Sequence, residues 1–311
     1  MTIDAPTANF LASLAPPGAK PFEELTAQEA RSFGPLLSRM SGDGPRMAAV
    51  NDGLIEGPDG AIPYRALLPA RPRGIIVYFH GGGWVLGSVD EFDTLGRHIA
   101  DQTSCTVVLV GYRLAPEHPF PAAARDALHA TIWAGAHREQ LAYADAPLIV
   151  MGDSSGGNLA AVVAQKSRKA GPDVVLQVLI YPVVDADLNR PSYLSADNQL
   201  WVSRSVMAWF WDHYLPDEHQ RLALAAPLRA GDLSGVPAAV LLLAEHDVLR
   251  DEQEEYARAL RDAGVPVEVR CFEGQMHGFF QFINVLPGAA DGVAYVARHI
   301  NDKLHTQGVS S

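Results

Sequence analysis

Cysteine is scarce in this chain: there are two in 311 residues, and no C-x-x-C pair. At that length and count, a disulfide framework is excluded as the basis of the fold, and a structural zinc site has no ligand set. Cys105 and Cys271 both lie inside apolar stretches, which predicts buried free thiols. No H-E-x-x-H occurs, so metalloprotease chemistry has no anchor, and no metal is expected. Positive charge is also in short supply. Lys and Arg number 24 against 36 Asp and Glu, a net charge of −12, and basic residues such as Lys166, Arg168 and Lys169 form no larger cluster. That argues against nucleic acid and against an anionic membrane surface as partners. No apolar run approaches the roughly 18 residues of a membrane span. The first residues, MTIDAPTANFLASLAPPGAKPF, lack the basic start and long apolar core of a signal peptide. A cytoplasmic enzyme is the expected class.

What the chain does contain is enough apolar material for one large domain. Hydrophobic residues make up 48% and charged residues 19%, as in ordinary soluble proteins. Residues 47–70 hold two β-like runs around Pro-Asp-Gly, a hairpin signal. Apolar, often β-branched runs then recur at 75–79, 106–110, 147–152, 174–181, 239–244 and 267–272. Helix-like stretches at 121–137, 157–170, 250–263 and 288–306 separate most of them. Continuous apolar runs point to strands buried on both faces, hence a mostly parallel sheet of about eight strands between helices, opened by an antiparallel hairpin. Residues 1–45 suggest one or two helices outside that sheet. Residues 184–216 interrupt the alternation and are rich in bulky side chains, among them Trp201, Met207, Phe210 and Trp211. The expected division is an N-terminal cap segment (1–45), a first catalytic part (46–183), a cap insertion (184–216) and a second catalytic part (217–311).

The chemistry concentrates in four places. Gly152-Asp153-Ser154-Ser155-Gly156 follows an apolar strand and opens a small-residue helix. G-x-S-x-G in that setting is a nucleophile elbow, in which a strained turn lifts the Ser154 hydroxyl above the sheet. Upstream, His80-Gly81-Gly82-Gly83 follows an earlier strand. Glycines there let backbone N–H groups approach a ligand unobstructed, so Gly82, Gly83 and Ser155 are candidate donors to an oxyanion. A serine nucleophile needs a base, and the base an orienting carboxylate, in the order Ser, acid, His for this class. Asp247, just past the strand run, is the best acid, with Asp251 and Glu245 as alternatives. His277, in a loop after the last strand run, is the best base, ahead of His80, His98, His118 and His246. His80 is expected to hold the glycine loop in shape. Candidate pocket residues are His80 and Trp84 from that loop, Val248 and Leu249 beside the acid, and Trp201, Met207, Phe210 and Trp211 from the insertion.

Taken together, His80-Gly81-Gly82-Gly83-Trp84, YRLAPEHPFPAA at 112–123, Gly152 to Gly157, DVLRDE at 247–252 and His277-Gly278-Phe279 resemble the bacterial carboxylesterases of the hormone-sensitive-lipase-like group. The resemblance covers roughly residues 75–280. It implies the α/β-hydrolase fold with a helical cap, a Ser154–Asp247–His277 triad, an oxyanion hole from Gly82, Gly83 and Ser155, and no cofactor. Ser155 stands where that group often has Ala, and Val248 where Pro is common. Arg113 and Glu117 are expected to form an ion pair. The expected activity is hydrolysis of short- to medium-chain carboxylic esters, with a small-molecule ester as partner and a homodimer possible. An amidase, peptidase or acyltransferase would use the same residues, and a receptor on this scaffold would be expected to have lost one of them.

Overall fold

The computed structural model describes residues 2–14, 18, 20–57, 59–216 and 225–308. The turn residue Pro58 and the start of the expected second catalytic part, 217–224, lie outside the described residues. Eight strands form one sheet in the order β1-β2-β4-β3-β5-β6-β7-β8. The strands are β1 (Ala49–Gly57), β2 (Gly60–Leu68), β3 (Ile75–Phe79), β4 (Thr106–Val110), β5 (Leu148–Asp153), β6 (Val174–Ile180), β7 (Ala238–His246) and β8 (Val267–Met276). β1, β2 and β4 pair antiparallel, and every other pairing is parallel. The hairpin and all six later runs are therefore strands.

The helices are α1 (Ala5–Leu14), α2 (Ala27–Arg31), α3 (Gly34–Ser41), α4 (Asp93–Thr103), α5 (Ala122–Ala136), α6 (Arg138–Leu141), α7 (Ser155–Ala170), α8 (Pro191–Leu194), α9 (Arg204–Tyr214), α10 (Arg250–Asp262) and α11 (Pro287–Gly308). Burial on both faces explains why the central strands are apolar throughout. In β3, Ile75, Val77 and Phe79 join the core under α5 and α7, whereas Ile76 and Tyr78 join the core under α4 and α11. Each such buried side chain contributes about 1.5–3 kcal/mol over an exposed one. Helix α4 was not among the expected helices. It follows directly on the glycine loop, and its polar residues interrupt the apolar pattern.

Two corrections concern the periphery. Cys105 is buried, but Cys271 is exposed, because β8 is the outer strand of the sheet. Arg113 and Glu117 do not pair with each other. Arg113 binds Asp126 at 2.7 Å, and Glu117 takes Arg31 of α2 at 2.7 Å, which ties the N-terminal segment to the sheet's upper edge.

Strand register sets the site. Phe79 pairs with Gly152, and Asp153 with Ile180. The residues after β3 and β5 therefore emerge side by side. β8 runs on past Phe272 to Met276, which pairs with His246 beyond an irregularity at Ala244. Asp247 and His277, each the next residue, consequently leave the sheet next to each other.

Candidate active site

Ser154 occupies the turn between β5 and α7 with φ 55° and ψ −118°, a conformation L-residues rarely adopt. The flanking glycines make that turn possible. A Cβ on Gly156 would lie 1.9 Å from the Phe79 carbonyl oxygen, and one on Gly152 would lie 2.3 Å from that of Gly156. The Ser154 N–H donates to Ile180 O at 2.8 Å, which fastens the turn to β6.

Three side chains converge here. His277 Nε2 lies 2.9 Å from Ser154 Oγ, and His277 Nδ1 lies 2.8 Å from Asp247 Oδ2. A carboxylate only accepts, so Nδ1 carries the proton and Nε2 accepts from the serine hydroxyl. Asp247 is fully buried, His277 is 3% exposed, and Ser154 is the most open of the three at 9%. Asp247 Oδ1 also accepts from the Leu249 N–H at 2.8 Å, and Oδ2 from Gln253 Nε2 at 3.1 Å. The His277 ring packs against Tyr181 at 4.6 Å. Asp251, the competing acid, instead accepts from the Ser192 N–H at 2.8 Å.

The glycine loop divides its N–H groups. That of Gly81 donates to Asp153 Oδ1 at 2.9 Å. Among the described residues no hydrogen bond engages the N–H groups of Gly82, Gly83 or Ser155. Gly82 and Gly83 have φ of 113° and 60°, which only glycine adopts without strain. A Cβ on Gly82 would lie 2.4 Å from Leu86 O, and one on Gly83 would lie 2.1 Å from the Phe210 ring. The first turn of α7 adds the partial positive charge of a helix N-terminus beside Ser154.

The candidate pocket residues separate into groups. Phe210 of α9 lies on Gly83, and Trp201 lies against the His277–Gly278 turn, with a Gly278 Cβ 3.0 Å from its Cδ1. Met207 and Trp211 are buried in the same aromatic layer. Trp84 is fully buried, stacked on Tyr214 of α9 at 4.0 Å, and forms the seam between the glycine loop and the insertion. Three of the assignments need correction. The His80 ring is sandwiched between Tyr112 at 4.3 Å and Phe92 at 5.3 Å, with Nδ1 2.8 Å from Gly81 O. It lies beneath the loop and shapes it. Val248 and Leu249 have no exposed surface and hold the acid turn, Val248 by accepting from Ser192 Oγ at 2.6 Å and Leu249 through its N–H. The N-terminal segment meets the insertion: Phe22 touches Trp209 at 5.5 Å, and Trp209 Nε1 donates to Leu25 O at 3.1 Å.

One functional residue had passed as part of a motif. Asp153 Oδ1 accepts from both Tyr78 Oη at 2.7 Å and the Gly81 N–H, joining the elbow to the glycine loop. Burial pushes its carboxyl up to about 6, against the pull of those donors. Burial pushes the His80 imidazole down to about 4. A carboxyl that holds its proton more tightly when folded favours folding at low pH, and that contribution is lost as pH rises from about 4 to about 6. His80 acts in the opposite sense, losing its contribution as pH falls from 6.5 towards 4. In Asp153→Asn the His80 share is no longer offset by Asp153, so the fall in Tm on acidification over that range should be steeper than in the unchanged protein. Thermal unfolding at a series of pH values checks this, and parallel curves would contradict it.

A family model described as the alpha/beta hydrolase fold matches residues 76–281. Carboxylesterase NlhH of Mycobacterium tuberculosis is 38% identical over 262 residues, covering 82% of this chain and 81% of that protein. The chain belongs to the hormone-sensitive-lipase-like carboxylic ester hydrolases. This esterase is also 34% identical to the ethyl acetate hydrolase of Pseudomonas putida over 296 residues, covering 91% of this chain and 92% of that one. Among solved structures it is similar to the hyperthermophilic esterase from the archaeon Pyrobaculum calidifontis, with a TM-score of 0.90, 34% identity, and coverage of 97% of this chain and 99% of that chain. Among the described residues of the esterase no helix is long and apolar enough to cross a membrane, and no group of His, Cys, Asp or Glu side chains is arranged to hold a metal ion.

Proposed function

We propose that this esterase hydrolyses short- to medium-chain carboxylic esters through an acyl-enzyme on Ser154, with His277 as base and Asp247 as its orienting acid. The observation that carries the reading is the continuous pair of hydrogen bonds from Asp247 through His277 to Ser154, at 2.8 and 2.9 Å. As Oγ attacks the ester carbonyl, its proton passes to Nε2, and Asp247 stabilises the imidazolium. The carbonyl oxygen becomes an oxyanion, for which the N–H groups of Gly82, Gly83 and Ser155 are the donors. The tetrahedral intermediate expels the alcohol, which takes the proton from Nε2. Water then attacks the acyl carbon, passes a proton to Nε2, and releases the carboxylic acid as the proton returns to Oγ.

Gly82→Ala tests the donor assignment. The added Cβ would meet the Leu86 carbonyl oxygen, so the loop must shift its N–H groups. The expected result is a fall of ~10²–10³ in kcat and kcat/KM together, the usual loss for one donor. A change confined to KM would make the loop a binding wall.

The insertion supports the chain-length reading, because Phe210 packs on the glycine loop and Trp201 on the His277 turn. Apolar walls gain about 0.8 kcal/mol per CH₂ buried while the acyl chain fits. Beyond the wall each further CH₂ stays in water or forces the packing apart. Activity over a graded series of p-nitrophenyl esters should therefore be highest within about two to eight acyl carbons. Phe210→Ala or Met207→Ala should move that optimum to longer chains, and an unmoved optimum would leave these side chains as core.

A further inference from the structure

Gln253 stands in the first turns of α10, fully buried, two helical positions beyond Asp251. Its amide nitrogen donates to Asp247 Oδ2 at 3.1 Å, on the same oxygen that His277 Nδ1 reaches at 2.8 Å. Its amide oxygen, Oε1, is buried with no partner among the described residues. An unpaired buried acceptor is unfavourable, and an apolar side chain of the same length would avoid it. Packing alone therefore gives no reason for an amide at this position. Its polar contact within reach of the chemistry is the one to the acid.

We propose that Gln253 is a positioning residue that acts through Asp247: it fixes Oδ2 in the line of the His277 Nδ1–H bond and takes up part of the carboxylate's charge. The inference rests on the Ser154–His277–Asp247 reading above. Three N–H donors converge on this one carboxylate, from Leu249, Gln253 and His277. The two oxygens turn together about the Cβ–Cγ axis, and the Leu249 bond at Oδ1 and the Gln253 bond at Oδ2 restrain that turn from opposite ends of the carboxylate. Sharing Oδ2 between two donors also lengthens and weakens the bond to His277. Without Gln253, His277 Nδ1–H is left as the donor at Oδ2 and draws more of the carboxylate's charge, while the carboxylate's orientation, held by Leu249 at Oδ1, loosens.

The test uses the full-length enzyme with Gln253→Met, which keeps length and volume and removes the donor, and Gln253→Leu as a second apolar variant. Thermal unfolding and near-UV circular dichroism report whether each folds. For a folded variant the expected result is a fall of about ten- to a hundredfold in kcat at unchanged KM for a p-nitrophenyl ester, on the scale of a lost hydrogen bond to a charged group. The proton NMR resonance of the His277 Nδ1–H should move downfield as its bond to Asp247 tightens. A kcat within twofold of the unchanged enzyme with an unmoved resonance would overturn the inference. Unfolding of both variants would overturn it too, since Gln253 would then serve the fold. His277→Ala separates the two readings: if it abolishes turnover while Gln253→Met is silent, only the role of Gln253 falls, whereas full turnover in His277→Ala removes the triad itself.

Discussion

Ser154→Ala should lose turnover of a short-chain ester by about 10⁶ in kcat, with folding intact and ester binding little changed. Among the described residues the Ser154 hydroxyl makes one hydrogen bond, to His277, and the strained backbone at φ 55° is no harder for Ala than for Ser. The loss therefore reports chemistry and not structure. His277→Ala should lose nearly as much, and the double variant scarcely more, because the two residues work as one unit. Stopped-flow or steady-state kinetics on purified variants measures this. Additive losses in the double variant would show that the two side chains act independently.

Asp247→Asn carries the second-largest expected effect, a fall of about 10⁴ in kcat. The geometry around the carboxylate explains why a nearly isosteric change should matter so much. Leu249 N–H donates to Oδ1, and both Gln253 Nε2 and His277 Nδ1 approach Oδ2. An asparagine offers one oxygen where the aspartate offers two. With its amide at Oδ2, two donors face a third donor, and the imidazole must move its proton to Nε2, where it can no longer accept from Ser154. With its amide at Oδ1, the Leu249 N–H is left unpaired in a buried site. An unpaired buried group costs about 1–3 kcal/mol, so Tm should also drop. Asp251→Asn is the comparison. Asp251 holds the Ser192 N–H at the base of the insertion, away from His277, and its loss should be far milder. Greater damage from Asp251→Asn in a folded protein would reverse the assignment of the acid.

The residues that meet at the site were legible largely because each sits at a strand end with a local signature. Ser154 is flanked by glycines that a Cβ would drive into the Phe79 and Gly156 carbonyls, so the sequence there has little freedom. His277 and Asp247 follow strands whose apolar runs are readable, although the last part of β8, Glu273 to Met276, is polar and mixed and hid the pairing that sets them side by side. What was not legible depends on register and packing between distant segments. Nothing local says that Asp153 faces Gly81 and Tyr78, or that Gln253 faces Asp247. His80 looked like a site residue because it adjoins the glycines, but Tyr112 and Phe92 enclose it. Arg113 and Glu117 are four residues apart, and on a helix they would have met. Their segment is a turn-rich loop that closes a single bond from the His118 N–H to Leu114 O and does not go on as a helix, and each side chain turns to a distant partner. Cys271 read as buried because its neighbours are apolar, yet the position of β8 at the edge of the sheet leaves Arg270 and Cys271 open one after the other.

The most direct test of the account is covalent labelling with a fluorophosphonate, read by mass spectrometry of the peptides. Activated by His277, one serine should react, and inactivation should keep pace with a single phosphonyl adduct on the peptide that carries Ser154. An adduct on any other serine at full inactivation, Ser155 or Ser192 included, would contradict the assignment of Ser154 as the nucleophile.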